Sequence, residues 1–286
     1  MTERNLGFKI EFIGRKFHGW QYQANAPSVQ AEMERAWTGL TAERVRFRAS
    51  SRTDAGVSAR GLVCQCFSSS RIPVERLPLA LKYHLVPGLV VSQAVILPPA
   101  FSLRHQSVAK HYCYRIFNRR IASAFMTDTT YHYGKILRLE RLPALVEPLL
   151  GEHDFAAFMD QGSPTPTTVR RLDLIRGLRR DDVIELHVLG SGFLYHMVRI
   201  LAGTALLVMA GDLSTEEVHE AFAKRDRTAL GPTLPAQGLC LERVYFDKPL
   251  FGRDGRSDYE QLLTQLKRGY YGLSDDESSD KFESAF

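Results

Sequence analysis

The first regular pattern in the chain is an alternation: in GFKIEFIG the apolar Phe8, Ile10 and Phe12 are separated by Lys9 and Glu11. That period of two predicts a strand with one buried face. After a turn-rich stretch, Ser28 stands as an N-cap before Val29, Met33, Ala36, Trp37 and Leu40, whose spacing predicts a helix to about residue 40. The segment from Arg44 to Ala49 alternates Arg44, Arg46 and Arg48 with Val45, Phe47 and Ala49, predicting a strand with one apolar face and one row of guanidinium groups. Such a row is either a solvated face or a surface for phosphates, because like charges side by side repel unless an anion relieves them.

Further apolar runs at 62–67 and 89–97 flank a helical pattern at 75–86, and 107–118 reads as another strand. The idiom recurs later, with a helical LERLPALVEPLL from 139, a strand at 183–189, a helix from Leu194 to Met209, a capped helix from Ser214 to Lys224 and a strand from Leu239 to Phe246. No fixed-period repeat is present. The expected fold class is therefore α+β, in two related halves, each a mostly antiparallel sheet flanked by helices. The expected units are 1–125, 126–250 and an acidic tail, 251–286, whose last dozen residues are expected to be disordered.

Composition changes this picture little. Hydrophobic residues at 44% and charged residues at 24% of 286 are ordinary for a folded protein. The apolar stretch Ile200 to Ala210 is about half the ~20 residues of a spanning helix, and the charged N-terminal segment lacks a secretory core, so a non-membrane, cytoplasmic protein is expected. Charge is uneven: the tail is −3 and the remainder +8, which suggests a polyanionic partner. Cys64 and Cys66 share a strand face in LVCQCF and read as core packing rather than a metal site. HExxH, GxxxxGK[ST] and GxGxxG are all missing, so zinc, nucleoside triphosphate and dinucleotide sites have no motif support.

The best place for chemistry is SRTDAGVSARG, Ser51 to Gly61, a small-residue loop leaving the arginine-bearing segment. A carboxylate there, Asp54, is held near cationic groups that would favour its ionised form as nucleophile or base.

This loop resembles the GRTDAGVHA signature of TruA-type tRNA pseudouridine synthases, and the resemblance runs from residue 8 to about 247. The family's opening corresponds to Phe12, Ile13 and Gly14 followed by Gly19-Trp-Gln-Tyr-Gln23; its FxxR and KxYxY elements correspond to Phe101, Arg104, Lys110, Tyr112 and Tyr114. His153-Asp-Phe155 with Phe158, Thr168 to Arg170, Phe193-Leu-Tyr-His-Met-Val-Arg199 and Pro235-Ala-Gln-Gly-Leu239 follow in order. The resemblance implies isomerisation of uridine in tRNA, without cofactor or metal, in a catalytic cleft between the two halves of a homodimer's subunit. It implies Asp54 as the essential carboxylate, Tyr112 stacked on the uracil, Arg199 paired with Asp54, Arg52 at the flipped base, Leu239 in the uracil pocket, and Arg104 and Arg170 as weaker RNA contacts. It points to the 3′ side of the anticodon stem-loop, about positions 38–40, a single-strand-accessible region. Ser51 for Gly, Ser58 for His and Ile13 for Asp depart from the pattern and bear on substrate preference. The competing readings are a turnover-free RNA-binding module or chaperone, and a hydrolase of phosphorylated small molecules, which would need a second carboxylate or metal cluster.

Overall fold

The computed structural model describes residues 3–162 and 165–268. The strands are β1 (Arg4–Phe12), β2 (Arg48–Ala49), β3 (Ser58–Ser68), β4 (Leu89–Leu97), β5 (Ser107–Phe117), β6 (Tyr131–His132), β7 (Gly151–Asp154), β8 (Val169–Arg180), β9 (Val183–Gly190) and β10 (Leu239–Phe246). The helices are α1 (Val29–Thr41), α2 (Leu77–Lys82), α3 (Leu103–Gln106), α4 (Leu142–Val146), α5 (Met197–Ala210), α6 (Thr215–Lys224) and α7 (Arg256–Arg268), with single 3-10 turns between them. All the strands join one sheet, ordered β4-β1-β3-β10-β5-β9-β8-β7, with β2 on β3 and β6 on β5.

The two halves expected from the pattern thus share a single continuous sheet. Its pairings along that order are antiparallel except at the junction, where β10 lies parallel to β3 with Cys240 opposite Ser58 and Leu241 opposite Ala59. A parallel neighbour needs a crossover, and β10 supplies it by returning from the far end of the chain. β5 pairs β10 on one side and β9 on the other, so it lies with the later strands although it precedes residue 125.

Local signals explain the helices. The Ser28 side chain accepts from the Ala31 backbone, and α1 ends where Ala42 takes a left-handed φ of 60°. Its buried face sets Trp37 edge-on to Phe8 (5.7 Å) and Phe47 (6.3 Å). Ser214 and Glu217 form a reciprocal capping box at α6, satisfying two backbone donors that the helix cannot. α5 is buried almost throughout, so it reads as apolar on all sides.

One contiguous core joins even-numbered β5 side chains, Tyr112, Tyr114 and Ile116, to α1, α2, α4, α5 and α6. Odd-numbered Ala109 belongs to a second cluster on the opposite face, where α7 lays Tyr259 and Leu266 against Leu174, Leu189 and Tyr245. That helix lies within the segment read from sequence only as an acidic tail; the last dozen residues lie outside the described part. Two other boundaries differ. The arginine segment keeps its inside–outside alternation but pairs as a strand only at Arg48–Ala49, and the helix expected at 75–86 is confined to Leu77–Lys82 after a 3-10 turn.

Candidate active site

The loop before β3 is held by its backbone. Trp20 donates to the Thr53 carbonyl (3.1 Å), Gly56 to that of Phe17 (3.1 Å), and Val57 to that of Asp54 (3.1 Å). The Gly14 N–H donates to the Ser58 hydroxyl at 3.0 Å. Segment 14–20 can approach this closely only because it carries glycines. A Cβ at Gly14 would lie 2.2 Å from the Val57 carbonyl carbon, and one at Gly19 (φ +81°) 2.4 Å from the Thr53 oxygen. Ser58, read as a departure, serves here as the acceptor that ties the two segments together.

Asp54 emerges from this cradle with its side chain partly exposed, facing the start of α5. Its Oδ2 lies 3.7 Å from Nη1 of Arg199 and 3.6 Å from Nε2 of His196. Arg199 is aimed by its Nε, which donates to the Leu234 carbonyl at 2.7 Å. His196 takes a left-handed φ of 60° at the N-cap of α5, and its ring stacks on Tyr195 at 3.7 Å. Its Nδ1 meets Oδ2 of Asp160 at 2.8 Å. Asp160 also accepts from Arg227 Nε (3.0 Å) and Thr233 Oγ1 (2.7 Å). Burial alone would raise the Asp160 carboxyl, but the bonds from Thr233, His196 and Arg227 outweigh it and hold the group below its usual range.

Tyr112 forms the neighbouring wall. Its hydroxyl lies 3.1 Å from the Ser51 hydroxyl, and its ring meets Phe193 edge-on at 5.2 Å. Burial pushes the phenol up to about 12; the Ser51 hydrogen bond opposes this and the Asp54 charge adds to it. The hydroxyl is therefore a proton-bearing group at neutral pH. Leu239 opens β10 opposite Tyr114, and Leu241 stands opposite Tyr112. The Tyr114 hydroxyl donates to the Pro235 carbonyl at 2.8 Å, and its ring fills the space where Gly238 lacks a Cβ. The turn before Leu239 is thus fastened to Tyr114 and, through Leu234, to Arg199.

The structure gathers Asp54, Tyr112, Arg199 and Leu239 around this one sheet junction. Arg52 is exposed on the loop itself, with no hydrogen bond or ion pair among the described residues. Arg170 spends its guanidinium on the carbonyls of Thr167 and Val169 and the hydroxyl of Thr165, which braces its own loop. Arg104 is exposed on α3. Lys110 lies near both arginines: burial first, then the charges of Arg170 and Arg104, bring its ammonium down to about 8. His196 and Asp160 received no role from the sequence. His196 sat inside the FLYHMVR run, whereas Asp160 is joined to it only by folding. Among the described residues no group of three His, Cys, Asp and Glu side chains is placed to hold a metal, and no helix is long and apolar enough to cross a membrane.

A sequence model of the family described as tRNA pseudouridine synthase matches residues 145–247, the part of the chain that supplies α5, Arg199 and β10. That match points to enzymes that isomerise uridine to pseudouridine. The tRNA pseudouridine synthase A of Acetivibrio thermocellus is 38% identical over 243 residues, 85% of this chain and 100% of that protein. Those of Moorella thermoacetica (37% over 84% of this chain and 99% of that protein) and Thermoanaerobacter sp. (36% over 85% and 100%) are similar. The chain belongs to this TruA family of tRNA pseudouridine synthases.

The Tyr112 environment separates ring from hydroxyl. Tyr112→Phe, which keeps the packing on Phe193 and loses only the Ser51 contact, is expected to retain part of the activity. Tyr112→Ala is expected to lower turnover at least about a hundredfold, the scale of a misplaced reacting geometry. Single-turnover rates on tRNA measure both, and equal rates for Tyr112→Ala and wild type would remove Tyr112 from the site.

Proposed function

We propose that Asp54 is the reacting carboxylate and that the target uridines lie on the 3′ side of the anticodon stem-loop, at about positions 38–40. The observation that carries the role of Asp54 is the convergence on one partly open carboxylate of a guanidinium from α5, a buried tyrosine from β5 and an apolar wall at Leu239. In the isomerisation the bond from C1′ to N1 breaks, the uracil turns over, C1′ bonds to C5, and the C5 proton is lost while N1 gains one. Asp54 serves as nucleophile at C1′ or as base at the ribose C2′. Arg199 offsets its charge, Tyr112 stacks on the uracil, and Leu239 lines the pocket. Arg52, exposed on the same loop, fills the place of the extruded base or grips the backbone, since a base inside a helix must leave its stack to be altered. Arg104 and Arg170 are assigned more distant RNA contacts. The catalytic cleft, on this reading, lies between the N-terminal half carrying the loop and the C-terminal half carrying α5.

The enzyme reading is favoured over a binding module because a binder needs no carboxylate opposed by an arginine and a tyrosine within one pocket. Purified protein incubated with tRNA transcripts tritiated at uracil C5 is expected to release label to water. Asp54→Asn is expected to abolish that release while tRNA affinity stays within several-fold, because only the charged oxygen is replaced. Residual activity above about a tenth of wild type would move the chemistry elsewhere.

A tRNA is longer than one subunit, and the reading includes a symmetric homodimer that holds it across both chains. Arg44, Arg46 and Arg48 are all exposed, with Arg46 3.4 Å from Glu34 and 5.5 Å from the Tyr22 ring. If these arginines grip RNA for the partner's site, mixing an Asp54→Asn subunit with one lacking the three charges restores activity that neither parent shows. A fully active monomer by light scattering would contradict the dimer.

A further inference from the structure

Asp160, His196 and Asp54 form a line of three polar groups drawn from three separate segments. The carboxylate of Asp160 is acceptor-only and already takes bonds from Arg227 and Thr233. Its 2.8 Å contact with Nδ1 of His196 therefore requires the proton to sit on Nδ1. That choice leaves Nε2 as the nitrogen facing Oδ2 of Asp54, at 3.6 Å. A hydrogen-bonded acid, an imidazole and a reacting group in this order is the arrangement by which a carboxylate selects the tautomer of a histidine. The ring is also held at a backbone cost: a non-glycine residue at a φ of 60° is uncommon, and at this N-cap its side chain bonds no helix N–H. The left-handed turn instead directs the imidazole toward the loop.

We propose that His196 is a positioning residue for the isomerisation, presenting an unprotonated Nε2 to Asp54 and taking up the proton that this carboxyl acquires from the substrate. The inference rests on Asp54 being the reacting carboxylate and acting as the base at the ribose C2′. When Asp54 accepts a substrate proton, its O–H bond breaks, an N–H bond forms at Nε2, and the electron pair stays on the carboxylate. Nothing is oxidised or reduced. The imidazolium so formed lies between Asp54 and Asp160, and the proton returns to the substrate through Asp54. The charged groups around the ring are Asp54 from the loop before β3, Asp160 after β7, Arg199 on α5 and, through Asp160, Arg227 after α6.

The discriminating variant is His196→Asn, whose amide can keep the donor to Asp160 while nothing occupies the Nε2 position. Single-turnover rates of pseudouridine formation and tRNA Kd are measured from about pH 5 to 8, the range in which a histidine changes charge. The variant is expected to lose the pH dependence of the wild type and at least about tenfold in rate, with Kd within about threefold. Asp160→Asn supplies a second arm: its amide can donate to Nδ1, shifting the ring proton to Nε2, and is expected to lower the rate similarly without weakening tRNA binding. Wild-type rate and pH profile in His196→Asn would overturn the proposal. So would a loss of rate matched by equal losses of tRNA affinity and thermal midpoint, which is the mark of a merely structural contact. The two readings fail separately: an active Asp54→Asn enzyme removes the reacting carboxylate, whereas an inactive Asp54→Asn beside an unaffected His196→Asn removes the histidine alone.

Discussion

The parallel pairing of β10 with β3 is the constraint on which the site depends. With Cys240 opposite Ser58, the start of β10 is locked beside the end of the Asp54 loop. Because β10 pairs β5 on its other edge, Tyr112 and Leu239 are delivered to the same junction. An open antiparallel meander could not do this, since consecutive strands would keep the loop and the later segments apart. Closing the pair across the whole chain costs conformational entropy that grows only slowly with loop length. The apolar strands on either side, with Leu241 and Tyr114 fully buried, offset it.

Given that junction, the rest of the site follows from two kinds of rigidity. The loop's carbonyls and amides are engaged by segment 14–20, whose glycines permit backbone contact without a side chain between. On the opposite side α5 is buried on nearly every face, so Arg199 and His196 at its N-terminal end cannot drift independently of the core. Each is then fixed by a second partner, Leu234 for Arg199 and Asp160 for His196. On the proposed role of Asp54, the carboxylate meets prearranged groups, which would reduce the reorganisation required when charge develops during reaction.

Much of this was legible in the residues. Alternation located β1 and β5, apolar or strand-like runs located β3, β4, β9 and β10, and the Ser28 and Ser214 caps located α1 and α6, because those signals are local. β8 escaped because a bulge between Leu172 and Leu174 changes the phase of alternation, while arginines interrupt the apolar positions. α7 escaped although Tyr259, Leu262, Leu263 and Leu266 are helically spaced, because the acidic composition of the tail masked them. At the site, Asp54, Tyr112 and Arg199 were reached through motifs. The role of Ser51 as partner of the Tyr112 hydroxyl, and of Asp160 as partner of His196, required the fold: neither contact has a signature in sequence spacing. The pairing of the single sheet was hidden for the same reason, since a two-residue parallel contact between β3 and β10 leaves no periodic trace.

On the proposed chemistry, the Asp54 loop and the N-terminal end of α5 act as one catalytic unit. A double-mutant cycle tests it directly, with Asp54→Glu displacing the carboxylate, Arg199→Gln removing the guanidinium, and single-turnover pseudouridine formation as the readout. Residues acting on one charge are strongly non-additive, so the account predicts a double variant little slower than the worse single one, with a coupling of at least about 1 kcal/mol. Losses that simply multiply would show two independent sites and contradict it.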